Sequence, residues 1–396
     1  MAEIEEFRAE TRAWLEENCP KGAIGPGQVP SGSTKVKIES PDTQLWLDRM
    51  AEKGWTAPAW PKEYGGGGLN GAEHRVLLEE MREVRARTPL MGMGLSMIGP
   101  TLLEFGNEEQ RQRHLSRIVR GEVGWCQGYS EPGAGSDLAS LRTRAEDKGD
   151  HFLINGQKIW TSGAQFADWM FAIVRTDPDV PKHEGISFVL LPMDQEGVTV
   201  KPIRLISGTS PFCETFFDDA IAKKEDLVGE LNKGWTVAKR LLQFERSGQG
   251  GLGAGGGGRR GRRGAGMAEV AKEYIGEESG KIADADVRAK IIRYNIDSAA
   301  FALTQRRVGE ENRSGKTLGE ATSIFKLYGS NLARDGAEMR LELMGVQGLG
   351  WEGDAFSSQQ LGATRGWLSS RAITIYGGTN EIQMNIIAKR VLGLPD

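Results

Sequence analysis

Histidine and cysteine are scarce in this chain of 396 residues. The four histidines (His74, His114, His151, His183) and three cysteines (Cys19, Cys126, Cys213) lie far apart, with no HxxxH and no CxxC spacing. Such scatter argues against a transition-metal site and against a disulfide framework, and it fits a reducing compartment. Long apolar runs are missing too: the longest, such as "ISFVLLPM", fall far short of the ~20 residues that span a bilayer. The first residues, "MAEIEEFRAETRAWLEEN", are acidic and amphipathic, with Ile4, Phe7, Thr11, Trp14 and Leu15 on one face. They lack the basic start and apolar core of a secretory signal, so a cytoplasmic protein is expected. Nor does one sign of charge dominate: 50 basic and 54 acidic residues leave a formal −4, which exerts no general pull on nucleic acid or anionic membrane.

The composition, 39% hydrophobic and 26% charged, is that of a soluble globular protein, and the length asks for two or three domains. Three textures follow one another. Residues 1–121 read as helices near 3–18, 41–54, 71–86 and 107–120, and Asn107 followed by two acids makes an N-terminal cap for the last. Over 122–231 the apolar period shortens to two. "HFLINGQKIW" holds two β-prone runs around Asn155-Gly156, which predicts a type I′ hairpin. "WMFAIVRT", "GISFVLLPM", "VTVKPIRL" and "CETFFDDA" follow as further strands of a central antiparallel β domain, a small barrel or sandwich. Residues 232–396 read as helices near 233–247, 267–275, 285–310, 317–344, 356–374 and 380–393. The expectation is an α+β architecture: N-terminal helical domain, central antiparallel β domain, C-terminal helical bundle.

A glycine-rich stretch, 248–266, contains GxGxxG at Gly253, Gly255 and Gly258. A dinucleotide fingerprint would follow a strand, and a helix precedes this one. Its "RRGRRG" could touch nucleic acid or a phosphate; a solvated helix end or loop is the plainer reading.

Three places could carry chemistry. "GYSEPGAGSDLASL" (128–141) is a loop of glycines and small hydroxyls whose free N–H groups suit an anionic or carbonyl-rich ligand, although a simple turn-rich loop would look the same. Trp160, followed by Thr161 and Ser162, offers a stacking face beside hydrogen-bonding groups, against the default of a core tryptophan. In "GWTVAKRLLQFERSGQ", Ala238, Leu241, Leu242 and Glu245 fall at i, i+3, i+4 and i+7, so Glu245 ends an apolar stripe. A carboxylate there has its pKa raised and becomes a plausible general base; a salt bridge to Arg246 at the helix end is the alternative. Finally, "IYGGTNEIQ" breaks a helical run with Gly377 and Gly378, either to turn a corner or to bring backbone close to a ligand.

Taken in order, "SEPGAGSD", "NGQKIWTSG", "FER" and "IYGGTNEIQ" resemble the FAD-dependent acyl-CoA dehydrogenase family over nearly the whole chain. The resemblance implies that family's fold, ending in a four-helix bundle, and its reaction, the oxidation of an acyl-CoA to a trans-2-enoyl-CoA. It implies FAD contacts from Gln127, Tyr129, Ser130, Gly135, Ser136, Trp160, Thr161, Ser162, Gly378, Thr379, Asn380 and Glu381. Substrate contacts would come from Ser136, Arg246 and Tyr376, and the N–H of Gly377 would bind the thioester carbonyl. Many members place the catalytic glutamate after the tyrosine, where this chain has Gly377. A second group, with long-chain and isovaleryl enzymes, places it in an "ER" pair on the first bundle helix, which here is Glu245-Arg246. The resemblance therefore implies Glu245 as the base. It also implies an electron-transfer flavoprotein as electron acceptor and a homodimer or homotetramer.

The chain departs from the family where "RxxFG" is replaced by "AKEYIGEESGKIAD" and "GGNG" by "MGVQGLG" (344–350), with Val346 at the second glycine. Those changes bear on FAD contacts between subunits. Oxidase, desulfinase and monooxygenase chemistry share the fold, as would a nucleic-acid-binding flavoprotein.

Overall fold

The apolar face read in the first residues becomes the buried side of helix α1 (Ala2–Asn18), where Thr11 and Leu15 are sealed from solvent. The computed structural model describes residues 2–247, 266–313 and 321–395, with a few helix-end side chains, those of 245–247 among them, outside that description. The chain divides into two compact units, Met1–Ile203 with Pro211–Arg262, and Arg204–Ser210 with Arg263–Asp396.

In the first unit, α1 is followed by α2 (Pro41–Glu52), α3 (Gly71–Glu83), α4 (Gly99–Phe105) and α5 (Glu108–Val119). Glu80 of α3 is 2% exposed, yet it is balanced by Arg12 and by Arg8, the latter at 2.7 Å, so the α1–α3 contact buries a carboxylate with its partners. The cap at Asn107 is as expected: its side chain accepts from Gln110 N, and Gln110 answers to Asn107 N. The same Gln110 donates to the carbonyls of Glu225 and Leu227, both at 2.8 Å, tying α5 to the strand region.

Seven strands follow: β1 (Trp125–Gly128), β2 (Arg144–Asp147), β3 (His151–Ser162), β4 (Trp169–Arg175), β5 (Ile186–Pro192), β6 (Val198–Ile203) and β7 (Phe212–Lys223). The order is β1-β4-β2-β3-β7-β6, with β5 also on β4. Pairing is antiparallel except where β1, and one residue of β2, run parallel to β4. The hairpin read at Asn155-Gly156 is not formed. β3 runs straight through as one strand, because β2 and β7 hold it on both edges. Asn155-Gly156 makes a bulge instead: Gly156 has φ +144°, and Asn155 exchanges two hydrogen bonds with Asp219, at 2.8 and 2.9 Å. The turn lies at Lys148–Asp150, where Gly149 has φ +96°.

Helix α6 (Gly234–Ser247) closes the first unit. Val237, Ala238 and Leu241 enter the largest apolar core, beside Phe188 and Leu190 of β5 and Ile98 and Leu102 near α4. Gly234 is a requirement here, since a Cβ would overlap the backbone of Ser187 and Phe188.

The second unit holds α7 (Met267–Ile275), a two-residue ladder of β8 (Glu277–Glu278) and β9 (Lys281–Ile282), then α8 (Ala285–Arg313), α9 (Ala321–Met344), α10 (Ser358–Ser370) and α11 (Asn380–Ile386). Val270, Ala271, Ile291, Leu343 and Met344 form its core. Among the described residues no helix is long and apolar enough to cross a membrane.

Candidate active site

The loop after β1 is built around a charge that sequence inspection did not single out. Glu131 is 8% exposed and accepts from Lys158 Nζ (2.7 Å), Arg142 N (2.6 Å) and Thr143 N (2.9 Å). Lys158 is fully buried on β3 and also donates to the carbonyl of Tyr129 at 3.1 Å. Burial pulls the Lys158 ammonium down to about 8 against the attraction of Glu131. The Glu131 carboxyl feels burial pushing it up, but Lys158 and the loop N–H groups outweigh this and hold it below its usual range. Glu131 and Ala134 close the loop with two reciprocal backbone bonds of 3.0 Å. Arg175 fastens its far end through the carbonyls of Ala139 and Leu141. Nothing in the spacing of 131 and 158 announces their contact, because only the fold brings them together.

With the loop fixed from below, its outer backbone stays uncovered. Gly135 and Ser136 are exposed, and a Cβ on Gly133 or Gly135 would meet nothing within 4 Å. The N–H groups of Gly133, Gly135 and Ser136 have no acceptor among the described residues. Ser130 is joined to β3 by its carbonyl, which accepts from Ile159 N at 2.8 Å, so the loop starts beside Trp160.

Trp160 is not a core residue. It sits in a second bulge of β3 with φ +63°, a left-handed conformation that a bulky residue seldom takes, and the residue is 51% exposed. Phe212 meets it edge-on at 6.1 Å. Thr161 points the other way: it is fully buried, and its hydroxyl bonds the Cys213 carbonyl and the Thr215 hydroxyl, both at 2.9 Å. Ser162 is half-buried. Gln127 on β1 has a buried Nε2 with no partner among the described residues, a donor of the kind that awaits an acceptor. Tyr129 is buried, with its ring edge-on to Phe171 and Phe188. This face of the first unit, a half-open aromatic ring, an orphaned amide and a loop of free N–H groups, fits a flat, polar-edged ring carrying phosphates.

In the second unit, Gly377 and Gly378 have φ +68° and +89°, so glycine is needed for the turn before α11. The buried Gln383, another residue not singled out, donates to both their carbonyls at 3.4 and 3.3 Å. The Gly377 N–H has no acceptor among the described residues. Thr379 caps α11 by accepting from Ile382 N. Asn380 is engaged within its own unit, donating to Asn331 and accepting from Ser330, both at 3.0 Å. Glu381 and Tyr376 are exposed, and the Lys326 ammonium lies 5.7 Å from the Tyr376 ring centre. Glu245 and Arg246 are placed on α6 by their backbone; their side chains, like the stretch 248–265, lie outside the described residues.

Comparison with known proteins follows the same three segments. The N-terminal domain of acyl-CoA dehydrogenases matches residues 1–122, the middle domain 126–220 and the C-terminal domain 232–392. The chain belongs to the acyl-CoA dehydrogenase family. This acyl-CoA dehydrogenase family chain, an oxidoreductase of a flavoprotein family, is similar to "Acyl-CoA dehydrogenase IpdE1" of Mycobacterium tuberculosis, with 38% identity over 100% of this chain and 99% of the relative. Among solved structures it is similar to the "Tcur3481-Tcur3483 steroid ACAD" (28% identity, TM-score 0.73, covering 100% of this chain and 98% of the other). It is also similar to the ChsE4-ChsE5 complex of Mycobacterium tuberculosis (27%, TM-score 0.72, 100% and 98%).

Proposed function

We propose that the protein binds FAD and dehydrogenates an acyl-CoA thioester between its α and β carbons, giving a trans-2-enoyl-CoA, with electrons passed to an electron-transfer flavoprotein. One observation carries the reading: Trp160 is held out of the sheet in a strained conformation beside the uncovered 128–141 loop. Such strain is retained where a ligand uses it. Bound FAD supplies the hydride acceptor for the β carbon. Gln127, Tyr129, Ser130, Gly135, Ser136, Trp160, Thr161 and Ser162 would hold it, with Gly378, Thr379, Asn380 and Glu381.

In this reading the chain's own groups manage the proton and the carbonyl. Glu245 takes the α-proton, which water at neutral pH is far too weak a base to remove. The Gly377 N–H, left without an acceptor, donates to the thioester oxygen as negative charge grows there. Ser136, Arg246 and Tyr376 align the substrate. The domain limits 1–121, 122–231 and 232–396 and assembly as a homodimer or homotetramer belong to the same reading. The steroid ACAD likeness puts ring-bearing thioesters beside straight and branched chains as substrates.

The test is anaerobic mixing of FAD-loaded protein with straight-chain, branched and steroid-derived acyl-CoAs. At least one is expected to bleach the flavin absorbance and yield the enoyl product. No bleaching across the whole panel would refute the activity, and rapid peroxide formation in air would identify an oxidase instead.

A further inference from the structure

One lysine of α9 braces the turn that carries Gly377. The Lys326 ammonium donates to the Ile373 carbonyl at 2.7 Å, and that carbonyl accepts no backbone N–H among the described residues. Ile373 belongs to the stretch of turns after α10, shortly before Gly377. The same nitrogen lies 5.7 Å from the Tyr376 ring centre, within cation–π reach. The Lys326 stem packs on Gly377: a Cβ placed on that glycine would stand 3.4 Å from Lys326 Cε. Burial lowers the Lys326 ammonium from its ordinary value, and no carboxylate among the described residues raises it again. A half-buried cation without a counter-ion costs stability, so its place asks for a reason. Farther along α9, Ser330 and Asn331 hold Asn380, both at 3.0 Å. Gln383 meanwhile holds the Gly377 and Gly378 carbonyls. The turn is thus gripped on both sides, while the Gly377 N–H has no acceptor among the described residues.

We infer that Lys326 is a positioning residue for the reaction: by holding the Ile373 carbonyl and bracing Tyr376 and Gly377, it aims the Gly377 N–H at the thioester oxygen. This rests on the acyl-CoA reading above. A donor to a developing oxyanion stabilises it most when its direction is fixed before the charge appears. Two adjacent glycines, with φ +68° and +89°, have many backbone conformations within reach, so the aim has to be imposed from outside the turn. Gln383 imposes it through the carbonyls, and Lys326 through the chain that enters the turn. The Lys326 charge, one bond beyond the Cε that packs on Gly377, also favours negative charge growing on the thioester oxygen.

The test compares FAD-loaded wild type with Lys326→Met, which keeps the apolar stem and loses donor and charge, and with Lys326→Arg, which keeps both. Lys326→Gln, neutral and shorter, is the second neutral variant and is expected to follow the first. Each protein is given an acyl-CoA and the matching S-alkyl-CoA thioether, which lacks the thioester oxygen. Wild type is expected to bind the thioester about three- to tenfold tighter than the thioether, the order of one hydrogen bond. Lys326→Met is expected to lose that preference while thioether affinity, FAD content and thermal midpoint change little, and Lys326→Arg to keep most of it. Anaerobic flavin reduction by the acyl-CoA is expected to slow at least about tenfold in Lys326→Met, less than the loss of a whole oxyanion donor. A thioester preference or a reduction rate that stays at the wild-type value in both neutral variants would overturn the inference. So would an equal loss of affinity for thioester and thioether, which marks a purely structural role. Should wild type prefer the thioester and Lys326→Met lose that preference while no acyl-CoA bleaches the flavin, Lys326 stands as the positioning residue of a carbonyl site and the dehydrogenase reading falls.

Discussion

Lys158 and Glu131 show what a single pair of residues does for the site. Both are buried, and between them they secure the carbonyl of Tyr129 and the N–H groups of Arg142 and Thr143. Lys158→Met leaves a buried carboxylate without its cation, so a loss of about 3–5 kcal/mol is expected in urea unfolding, together with reduced FAD content. Adding Glu131→Gln should recover part of the stability, since the stranded charge goes too. His114 makes a separate prediction. It is fully buried between Trp125 and Trp169, and burial, followed by the charges of Arg113 and Arg117, holds it at about 3. Below the ordinary histidine value of 6.5 the unfolded chain takes up a proton that the folded chain refuses. Stability from this group is therefore complete above that pH and is lost on acidification, by about 2 kcal/mol at pH 5. Unfolding midpoints at pH 5 and pH 7 check this, with His114→Gln expected to lose that part of the slope.

At the scale of elements, α6 decides where the proposed base is carried. Its stripe of Ala238, Leu241 and Leu242 packs into the core of the first unit as the helical period implied. The close approach of Gly234 to β5 could not be read in advance, because a glycine before "WTVAKR" looks like any helix start. Gly234→Ala should overlap the β5 backbone and lower stability by about 1–3 kcal/mol, read in the thermal midpoint. β3 teaches the converse. Asn155-Gly156 is a strong local turn signal, yet ladders on both edges of the strand outweigh it and turn it into a bulge. Strands and helices with plain periodicity, such as β4, β5, α1 and α5, were legible within a few residues. Trp160 was legible as a motif residue, but its left-handed conformation was not, since it arises from the β3–β7 register.

For the whole molecule, the three-part layout and the family were open in the sequence because its motifs keep their order across the chain. Contacts that depend on distant segments, such as Glu131 with Lys158 or Gln383 with the Gly377 and Gly378 carbonyls, had no local sign. The proposed reaction depends most on Glu245. The direct measurement is anaerobic single-turnover mixing of FAD-loaded wild type and Glu245→Gln with an acyl-CoA that bleaches the wild-type flavin. The variant is expected to hold its FAD and bind the thioester, yet to lose flavin reduction by about 10²–10⁴-fold, the range for a missing general base. Reduction at the wild-type rate would contradict the account and move the base to another residue.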